Sequence, residues 1–139
     1  MIRTATKNDI DAVYGLIKQL SNHGFTKEQF ERCYEHNLKS EYVLVCEQDS
    51  KILGCGVLRI NYPLPLSQKV AEIVNLVVDE SFRNRGIGKE LLEVFEKIAA
   101  DHRCICITVI SGKQREAAHR FYTREGFELN HYKFTKEII

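Results

Sequence analysis

The feature that most constrains the fold is a long apolar segment that is followed by a glycine-containing loop and then by a helix pattern. Residues 70–78 are mostly apolar and largely β-branched, which is typical of a strand at the centre of a sheet. A short polar connection leads to Arg83-Asn84-Arg85-Gly86-Ile87-Gly88-Lys89, and apolar residues then recur at helical spacing over 91–99. This stretch predicts a buried strand, a tight loop and a helix packed back onto the sheet.

The loop predicts a binding site for an anion. Gly86 and Gly88 let the backbone curl so that successive N–H groups converge, and a helix start adds unpaired donors with a partial positive charge. Arg83, Arg85 and Lys89 add charge that suits a diphosphate. Two glycines before a helix are also often no more than a turn. A P-loop is excluded because Lys89 is followed by Glu rather than Ser or Thr, and no G-x-G-x-x-G follows the first strand.

The rest of the chain supplies alternating strand and helix patterns. Capping boxes at Thr6 and Thr26 predict two helix starts. Gly54 and Gly56 mark a place where a backbone comes close or the strand bulges. We predict an α/β fold of order β-α-α-β-β-β-α-β-α-β, with about four helices. The predicted strands are 2–5, 42–46, 52–60, 70–78, 104–109 and a terminal one at Phe127 or 132–135, and the predicted helices start near 7, 27, 87 and 115.

Length and charge limit the classes of function. A chain of 139 residues fits one domain, residues 1–139. A net charge of +1 gives no support for a nucleic-acid or membrane partner. The N-terminus lacks the apolar core of a signal peptide, and no apolar run approaches the roughly 20 residues that cross a bilayer, so we expect a cytoplasmic protein. The five cysteines include no C-x-x-C pair, which predicts no metal site and simple burial.

Two separated motifs carry a resemblance to a known family. Arg83-x-x-Gly86-x-Gly88 after a Val-Val strand, followed later by residues 118–127 (AHRFYTREGF), is similar to the acyl-CoA signature of the GNAT family of N-acetyltransferases. The likeness covers nearly the whole chain and implies a mixed, mostly antiparallel sheet. Within the family, residues 11–14, 118–122 and 131–136 most resemble the aminoalkylphosphonate N-acetyltransferase group.

The resemblance implies acetyl-CoA as co-substrate and a set of binding residues. Backbone groups of Leu76, Val77 and Val78 would pair with the pantetheine arm as an added strand does. Residues Arg83, Asn84, Arg85, Gly86, Ile87, Gly88 and Lys89 would hold the pyrophosphate. The family has Asn three places before the alanine of its last helix, whereas here Arg115 precedes Ala118. Arg115 is thus a candidate phosphate contact.

Acetyl transfer from a thioester to an amine needs a neutral amine, a polarised carbonyl and a proton for the thiolate. Tyr122 stands where the family places the tyrosine that donates to the CoA sulfur, although it could instead only pack its helix onto the sheet. Glu72 lies in a stretch that resembles the base-bearing strand of the histone-acetylating branch. It is the candidate base, and its alternative is a solvated residue near a strand end. His119 and His131 are more typical of packed or surface residues.

The acceptor is less constrained than the donor. We expect a small-molecule primary amine such as an aminoalkylphosphonate, with an acetyltransferase of proteins or peptides, or a non-catalytic acyl-CoA-binding module, as alternatives. The aminoalkylphosphonate group is histidine-rich before the central strand, but residues 61–68 contain no histidine, so the acceptor can differ. Lys69, Arg59 and Arg120 could meet an anionic group. Dimers are common in such families, and a homodimer is left open.

Overall fold

The order of helices and strands follows the predicted pattern as far as the last helix. The structure, a computed structural model, describes all of residues 1–139. In chain order its elements are β1 (Ile2–Thr4), α1 (Ile10–Leu20), α2 (Lys27–Ser40), β2 (Tyr42–Gln48), β3 (Lys51–Asn61), β4 (Val70–Val78), α3 (Ile87–Asp101), β5 (Ile107–Val109) and α4 (Glu116–Arg124). Single 3₁₀ turns at Lys7–Asp9 and Glu80–Phe82 lead into α1 and follow β4.

The five strands form one sheet in the order β1-β2-β3-β4-β5. Neighbours are antiparallel except that β5 joins β4 in parallel. This is the predicted α/β fold with a mixed, mostly antiparallel sheet and four helices. Strand β3 pairs along the whole of β4, whereas β5 covers only Ala71–Ile73. The second half of β4 therefore has no strand on its β5 side.

Two apolar cores cover the two faces of the sheet. The first, here called the α3-side core, is formed by α3, α4 and one face of the strands, and its fully buried members include Leu58, Ile73, Leu91 and Phe95. The second, the α1/α2-side core, lies between α1, α2 and the other face, and includes Val13, Leu16, Tyr34, Val45 and Val77. The alternation of strand side chains thus sends neighbouring β4 residues into different cores.

Helix α3 packs closely on β3 because two glycines leave room for it. A Cβ at Gly56 would lie 2.8 Å from the ring of Phe95, and one at Gly54 would lie 3.1 Å from Cγ2 of Ile87. Since real Cβ contacts are longer than this, any side chain at Gly56 would displace the helix. The predicted close approach is confirmed. It holds the start of α3 beside the end of β4.

Both predicted capping boxes are present. Thr6 and Asp9 cap the turn that leads into α1, and Thr26 and Gln29 cap α2. Asp9 also accepts two hydrogen bonds from the guanidinium of Arg3, at 2.8 and 2.9 Å, and one from the Thr6 N–H at 2.8 Å. These charge-assisted bonds hold the pKa of Asp9 below its usual value. The entry into α1 is thereby tied to β1.

Three predictions about local structure are wrong in part. No strand forms at Phe127 or over 132–135, because the segment after α4 has no neighbouring strand to pair with. The strand predicted over 104–109 begins only at Ile107, and residues 104–106 lead into it as irregular backbone. The cysteines are not uniformly buried, since Cys33 and Cys106 are exposed and only Cys46 and Cys55 lie inside.

None of the helices is long and apolar enough to cross a membrane.

Candidate active site

The glycine loop places the start of α3 next to the end of β4. Asn84 and Gly86 have φ values of 63° and 82°, in the left-handed region that permits a sharp reversal. Gly86 is the N-cap of α3, and no side chain caps the helix. The first backbone N–H groups of α3 therefore face outwards without a partner, which is the arrangement that attracts an anion.

Three cationic side chains surround this helix start. Arg83 donates from Nε to the carbonyl oxygen of Val78 at 3.2 Å, and the guanidinium of Arg85 lies 5.1 Å from the ring centre of Phe82. Lys89 follows in the first turn of α3. None of the three forms a salt bridge with a carboxylate. Their charge is therefore available to an anion at the helix start.

Gly88 is not required by packing within the protein. A Cβ there would lie 3.5 Å from the ring of Phe121 and 3.7 Å from Cγ2 of Val78, which are ordinary contacts. Alanine would therefore fit the protein alone. A glycine at this position leaves the helix start open to a group that comes close to the backbone.

The free half of β4 presents backbone groups along its open side. The register between β3 and β4 shifts beside Val57 and Leu58, so that Val74 bulges out and is 39% exposed. Beyond the bulge, the carbonyl oxygens of Asn75 and Val77 lie towards β3, next to Gly56 and Gly54. Because backbone groups alternate along a strand, those of Leu76 and Val78 face the open side. Of the three predicted residues, only these two offer free backbone groups, and Val77 contributes a side chain to the α1/α2-side core.

Tyr122 lies on α4 inside the α3-side core. It is 8% exposed, and its ring packs edge-on against Phe121 and Phe127 with centroids 5.3 Å away in both cases. Burial raises the pKa of Tyr122, and the positive charge of nearby Arg115 lowers it by less. The phenol is therefore protonated at neutral pH. Arg115 itself is half-buried at the start of α4, and its N–H donates to the Gly112 oxygen at 3.1 Å.

Glu72 lies on β4, and its side chain is on the face of the sheet opposite to the α3-side core. Its neighbours Ala71 and Ile73 belong to the same core as Tyr122, so the side chain of Glu72 points to the α1/α2 side. Its carboxylate accepts from Asn61 Nδ2 at 2.9 Å and lies 3.9 Å from the guanidinium of Arg59. It is held in place, not loosely solvated. The structure thus places Glu72 and Tyr122 on opposite faces of the sheet, Glu72 on β4 and Tyr122 on α4.

Sequence reasoning missed Asn75. Its side-chain oxygen is buried without a partner, and the side chain lines a cavity of about 180 Å³ between α1, α2 and the sheet. A buried unpaired amide oxygen is unusual and marks a place where a ligand or water completes the bonding. An asparagine in the middle of Ile73-Val74-Asn75-Leu76-Val77 was the available signal. The other lining residues are mostly apolar: Val13, Ile17, Phe30, Cys33, Tyr34, Asn37, Val43, Cys55 and Val57.

A second cavity is lined in part by Asp79, Ser81 and Phe82 of the connection between β4 and α3. It has a volume of about 520 Å³ and lies at the end of the β2–β3 hairpin. Asp9, Glu47 and Asp79 line it with Lys51 as the one cation, so it does not suit phosphate groups. Neither there nor elsewhere is a group of three or more His, Cys, Asp or Glu side chains arranged to hold a metal ion. His119 instead bonds the Gly112 oxygen through Nε2 at 2.7 Å.

Comparison with known proteins agrees with this geometry. The model of the acetyltransferase (GNAT) family matches residues 10–127. The aminoalkylphosphonate N-acetyltransferase of Salmonella typhimurium is 30% identical over 139 residues, which cover 99% of this chain and 90% of that protein. The resemblance predicted from the two motifs is thereby confirmed.

Solved structures share the fold. A transcriptional regulator from Bacillus halodurans C-125 superposes with a TM-score of 0.89 at 22% identity, covering 99% of both chains. The aminoglycoside N-acetyltransferase AAC(6')-Iy, solved in complex with CoA, superposes with a TM-score of 0.87 at 20% identity and covers 99% of this chain and 93% of its own. By its motifs, its sheet and its relatives, the chain belongs to the GNAT family of acetyltransferases, and it is an acyltransferase with acetyl-CoA as co-substrate.

Proposed function

We propose that the protein is one N-acetyltransferase domain, residues 1–139, that moves the acetyl group of acetyl-CoA to the primary amine of a small molecule. One observation carries the proposal. The uncapped start of α3, with three unpaired cations around it, lies beside the open backbone edge of β4. An anion site and a strand-like edge side by side suit a ligand with a diphosphate and an amide-containing arm.

The pyrophosphate is assigned to residues Arg83, Asn84, Arg85, Gly86, Ile87, Gly88 and Lys89. The left-handed Asn84 and Gly86 turn the backbone so that N–H groups of the loop and of α3 face one anion. Arg115 lies at the start of a second helix and is close enough to Tyr122 to lower its pKa. We assign to it a contact with the donor near the reacting end, where it replaces the asparagine of the family pattern.

The pantetheine arm is assigned to the open side of β4. Leu76 and Val78 each offer an N–H and a C=O there, and these can pair with amides as an added strand would. The bond from Arg83 to the Val78 oxygen would give way to this pairing, which frees the guanidinium for a phosphate. Val77 was expected to pair with the arm through its backbone as well. Its backbone faces β3 instead, so its role is limited to packing its side chain in the α1/α2-side core.

The transfer itself needs an acid and a base. Acetyl-CoA supplies the acetyl group as an activated thioester. Tyr122 holds the proton that the departing thiolate takes up, since its raised pKa keeps the phenol protonated. Glu72 takes a proton from the ammonium form of the acceptor, directly or through water, so that a neutral amine can attack. Tyr122 on the α3 side of the sheet and Glu72 on the α1/α2 side fit a donor that enters from one side and an acceptor that enters from the other.

The acceptor is assigned to the α1/α2 side. The cavity beside Asn75 offers apolar walls and one free amide oxygen, and Arg59 near Glu72 offers a positive charge. An aminoalkylphosphonate is supported by the Salmonella relative and by this arginine. The guanidinium of Arg59 also pairs with Glu41 at 3.1 Å, so that an anionic acceptor would have to compete with that carboxylate.

A thiol-release screen tests the proposal. Acetyl-CoA would be offered with aminoalkylphosphonates, polyamines, amino acids and peptides, and Tyr122→Phe would serve as the matched variant. We expect release with at least one small amine and a large loss in the variant. Release with peptides alone would favour a protein or peptide acetyltransferase. Binding of acetyl-CoA without release for any amine would instead favour an acyl-CoA-binding module.

A further inference from the structure

The side-chain oxygen of Asn75 is buried without a hydrogen-bond partner, in the cavity between α1, α2 and the sheet. We call this space the Asn75 cavity. The other amide and hydroxyl side chains in its lining are bonded within the protein, since Tyr34 donates to the Thr6 oxygen and Asn37 to the Cys33 oxygen, both at 2.7 Å. A buried unpaired amide oxygen costs free energy that an apolar side chain would not. Packing therefore does not explain an asparagine here, whereas a ligand that donates one hydrogen bond does.

The Asn75 cavity has the size and the walls for one apolar ring. Its volume is about 180 Å³, and an engineered apolar cavity of about 150 Å³ binds benzene. The rings of Phe30 and Tyr34 line it, stacked with their centroids 5.7 Å apart. None of its ten lining residues is charged. Burial raises the pKa of Tyr34 and of Cys55, also in the lining, to about 12, so both stay neutral. A charged group would lose its water in the cavity without gaining a partner.

Asn75 is the neighbour of Glu72 on the α1/α2 side of β4. The two residues pair with Val57 and Arg59 on β3, which are two positions apart, and the bulged Val74 lies between them. Two positions along a strand span about 7 Å. A nitrogen atom placed between the two side chains can therefore donate to the carboxylate of Glu72 and to the amide oxygen of Asn75 at once.

We propose that Asn75 binds the nitrogen of the acceptor, and that the acceptor is a primary amine with an uncharged apolar group, about the size of a phenyl ring, that fills the Asn75 cavity. The inference rests on the proposed acetyl transfer, which makes this ligand an acceptor. Glu72 takes one proton from the ammonium group. The neutral amine then donates one N–H to Oδ1 of Asn75 and keeps its lone pair for the thioester carbon. An aminoalkylphosphonate leaves the cavity unfilled, because its second group is charged.

Acetyl-transfer kinetics with three amines test the apolar group. The kcat/KM of phenethylamine should exceed those of ethylamine and aminomethylphosphonate about tenfold or more, since even one methylene in an apolar pocket separates substrates by about 10–200-fold. Cys33→Phe should remove this preference, because Cys33 lines the cavity and is exposed, so that a ring there takes up its space without unfolding the core. Cys33→Ser is the control and should keep the preference. Equal kcat/KM for the three amines, or the same preference in Cys33→Phe, would overturn the proposal.

Asn75→Leu tests the hydrogen bond to the amine. The KM for phenethylamine should rise about tenfold with kcat nearly kept, as expected for a contact made equally in the ground and transition states. The free energy of unfolding should not fall, because the oxygen that is removed has no partner in the free protein. Asn37→Leu is the matched control, since that amide lines the same cavity but already bonds the Cys33 oxygen, and its KM should stay. An unchanged KM in Asn75→Leu would assign the amide to the fold and overturn the proposal.

Protection of Cys33 separates this inference from acetyl transfer. Iodoacetamide modification of Cys33 and Cys106, the two exposed cysteines, would be followed by peptide mass spectrometry with CoA present, which allows no transfer. Phenethylamine should slow the modification of Cys33 but not that of Cys106, and ethylamine should slow neither. Protection without acetylation of any amine would keep the apolar amine as the ligand of the cavity and contradict the proposed transfer. No protection at saturating phenethylamine would overturn the inference even where acetyl transfer occurs.

Discussion

At the scale of single residues, some residues of the site are held by contacts within the protein, whereas the identity of others is explained only by a bound ligand. Tyr122 is buried and protonated, Glu72 is held by Asn61, and Gly88 has room for a methyl group that it does not carry. The identity of these residues was visible in the sequence. Their faces were not, because the face of a β4 residue depends on the pairing with β3 and on the bulge at Val74.

Tyr122→Phe should lower kcat by about a hundredfold, since a general acid contributes about 10²–10⁴. The affinity for acetyl-CoA should change little, because the ring and its packing on Phe121 and Phe127 are kept. The wild-type rate should also persist at alkaline pH, because the raised pKa of Tyr122 keeps the proton beyond the usual tyrosine range. Steady-state kinetics across pH would check both. Equal turnover in the two proteins would remove the acid role.

Glu72→Gln should reduce kcat/KM by about a hundredfold near neutral pH. The loss should shrink as pH rises, because the acceptor amine then loses its proton without help. Glutamine can still accept the hydrogen bond from Asn61, so the fold should be unchanged. Glu41→Gln is the control, since Glu41 also pairs with Arg59 but lies off β4. A loss of the same size at every pH, or in both variants, would point to a role in structure.

At the scale of the elements, α3 is positioned by the glycines of β3, and the open half of β4 is created by the shortness of β5. Periodicity and capping boxes predicted four helices and the central strands, because those signals are local. They failed at the terminal strand. The pattern of 132–135 predicted a strand, but none forms, because a strand also needs backbone pairing with a neighbour and this segment has none.

Gly56→Ala should lower the free energy of unfolding, whereas Gly88→Ala should weaken the binding of acetyl-CoA. At Gly56 the new methyl would clash with Phe95 at 2.8 Å, and overpacking of this kind costs about 1–3 kcal/mol of unfolding free energy. At Gly88 the nearest atom is 3.5 Å away, so stability should be kept while acetyl-CoA binding weakens at least tenfold. Urea denaturation and calorimetry would measure the two quantities. Normal acetyl-CoA affinity in a folded Gly88→Ala protein would contradict the close approach of the pyrophosphate.

At the scale of the whole molecule, the α1/α2-side core buries groups that resist ionisation. Burial raises the pKa of Tyr34 and of the Cys55 thiol to about 12. In the unfolded chain these groups lose their protons near their ordinary values of about 10 and 8.5. Above those values the folded state binds more protons than the unfolded state. The free energy of unfolding must therefore fall as pH rises.

We expect stability to be steady up to about pH 8.5 and to decrease progressively towards pH 11. Urea denaturation at half-unit steps would measure this decrease. Tyr34→Phe removes one of the titrating groups and should make the decrease shallower. It should also lower stability at neutral pH by about 1 kcal/mol, since the hydroxyl donates to the Thr6 oxygen at 2.7 Å. If the free energy of unfolding falls equally steeply with pH in both proteins, Tyr34 is not a cause of the decrease.

Calorimetric titration of acetyl-CoA into Gly86→Asp and Gly86→Asn tests the donor site most directly. A side chain at Gly86 meets nothing within 4 Å, and both residues tolerate the left-handed backbone there, so the two variants differ in one negative charge at the start of α3. A carboxylate about 6 Å from a phosphate charge costs about 3 kcal/mol at an effective dielectric constant of 20. The Asp variant should bind at least tenfold more weakly than the Asn variant, with both folded. Equal affinities would show that the pyrophosphate of acetyl-CoA is held somewhere else.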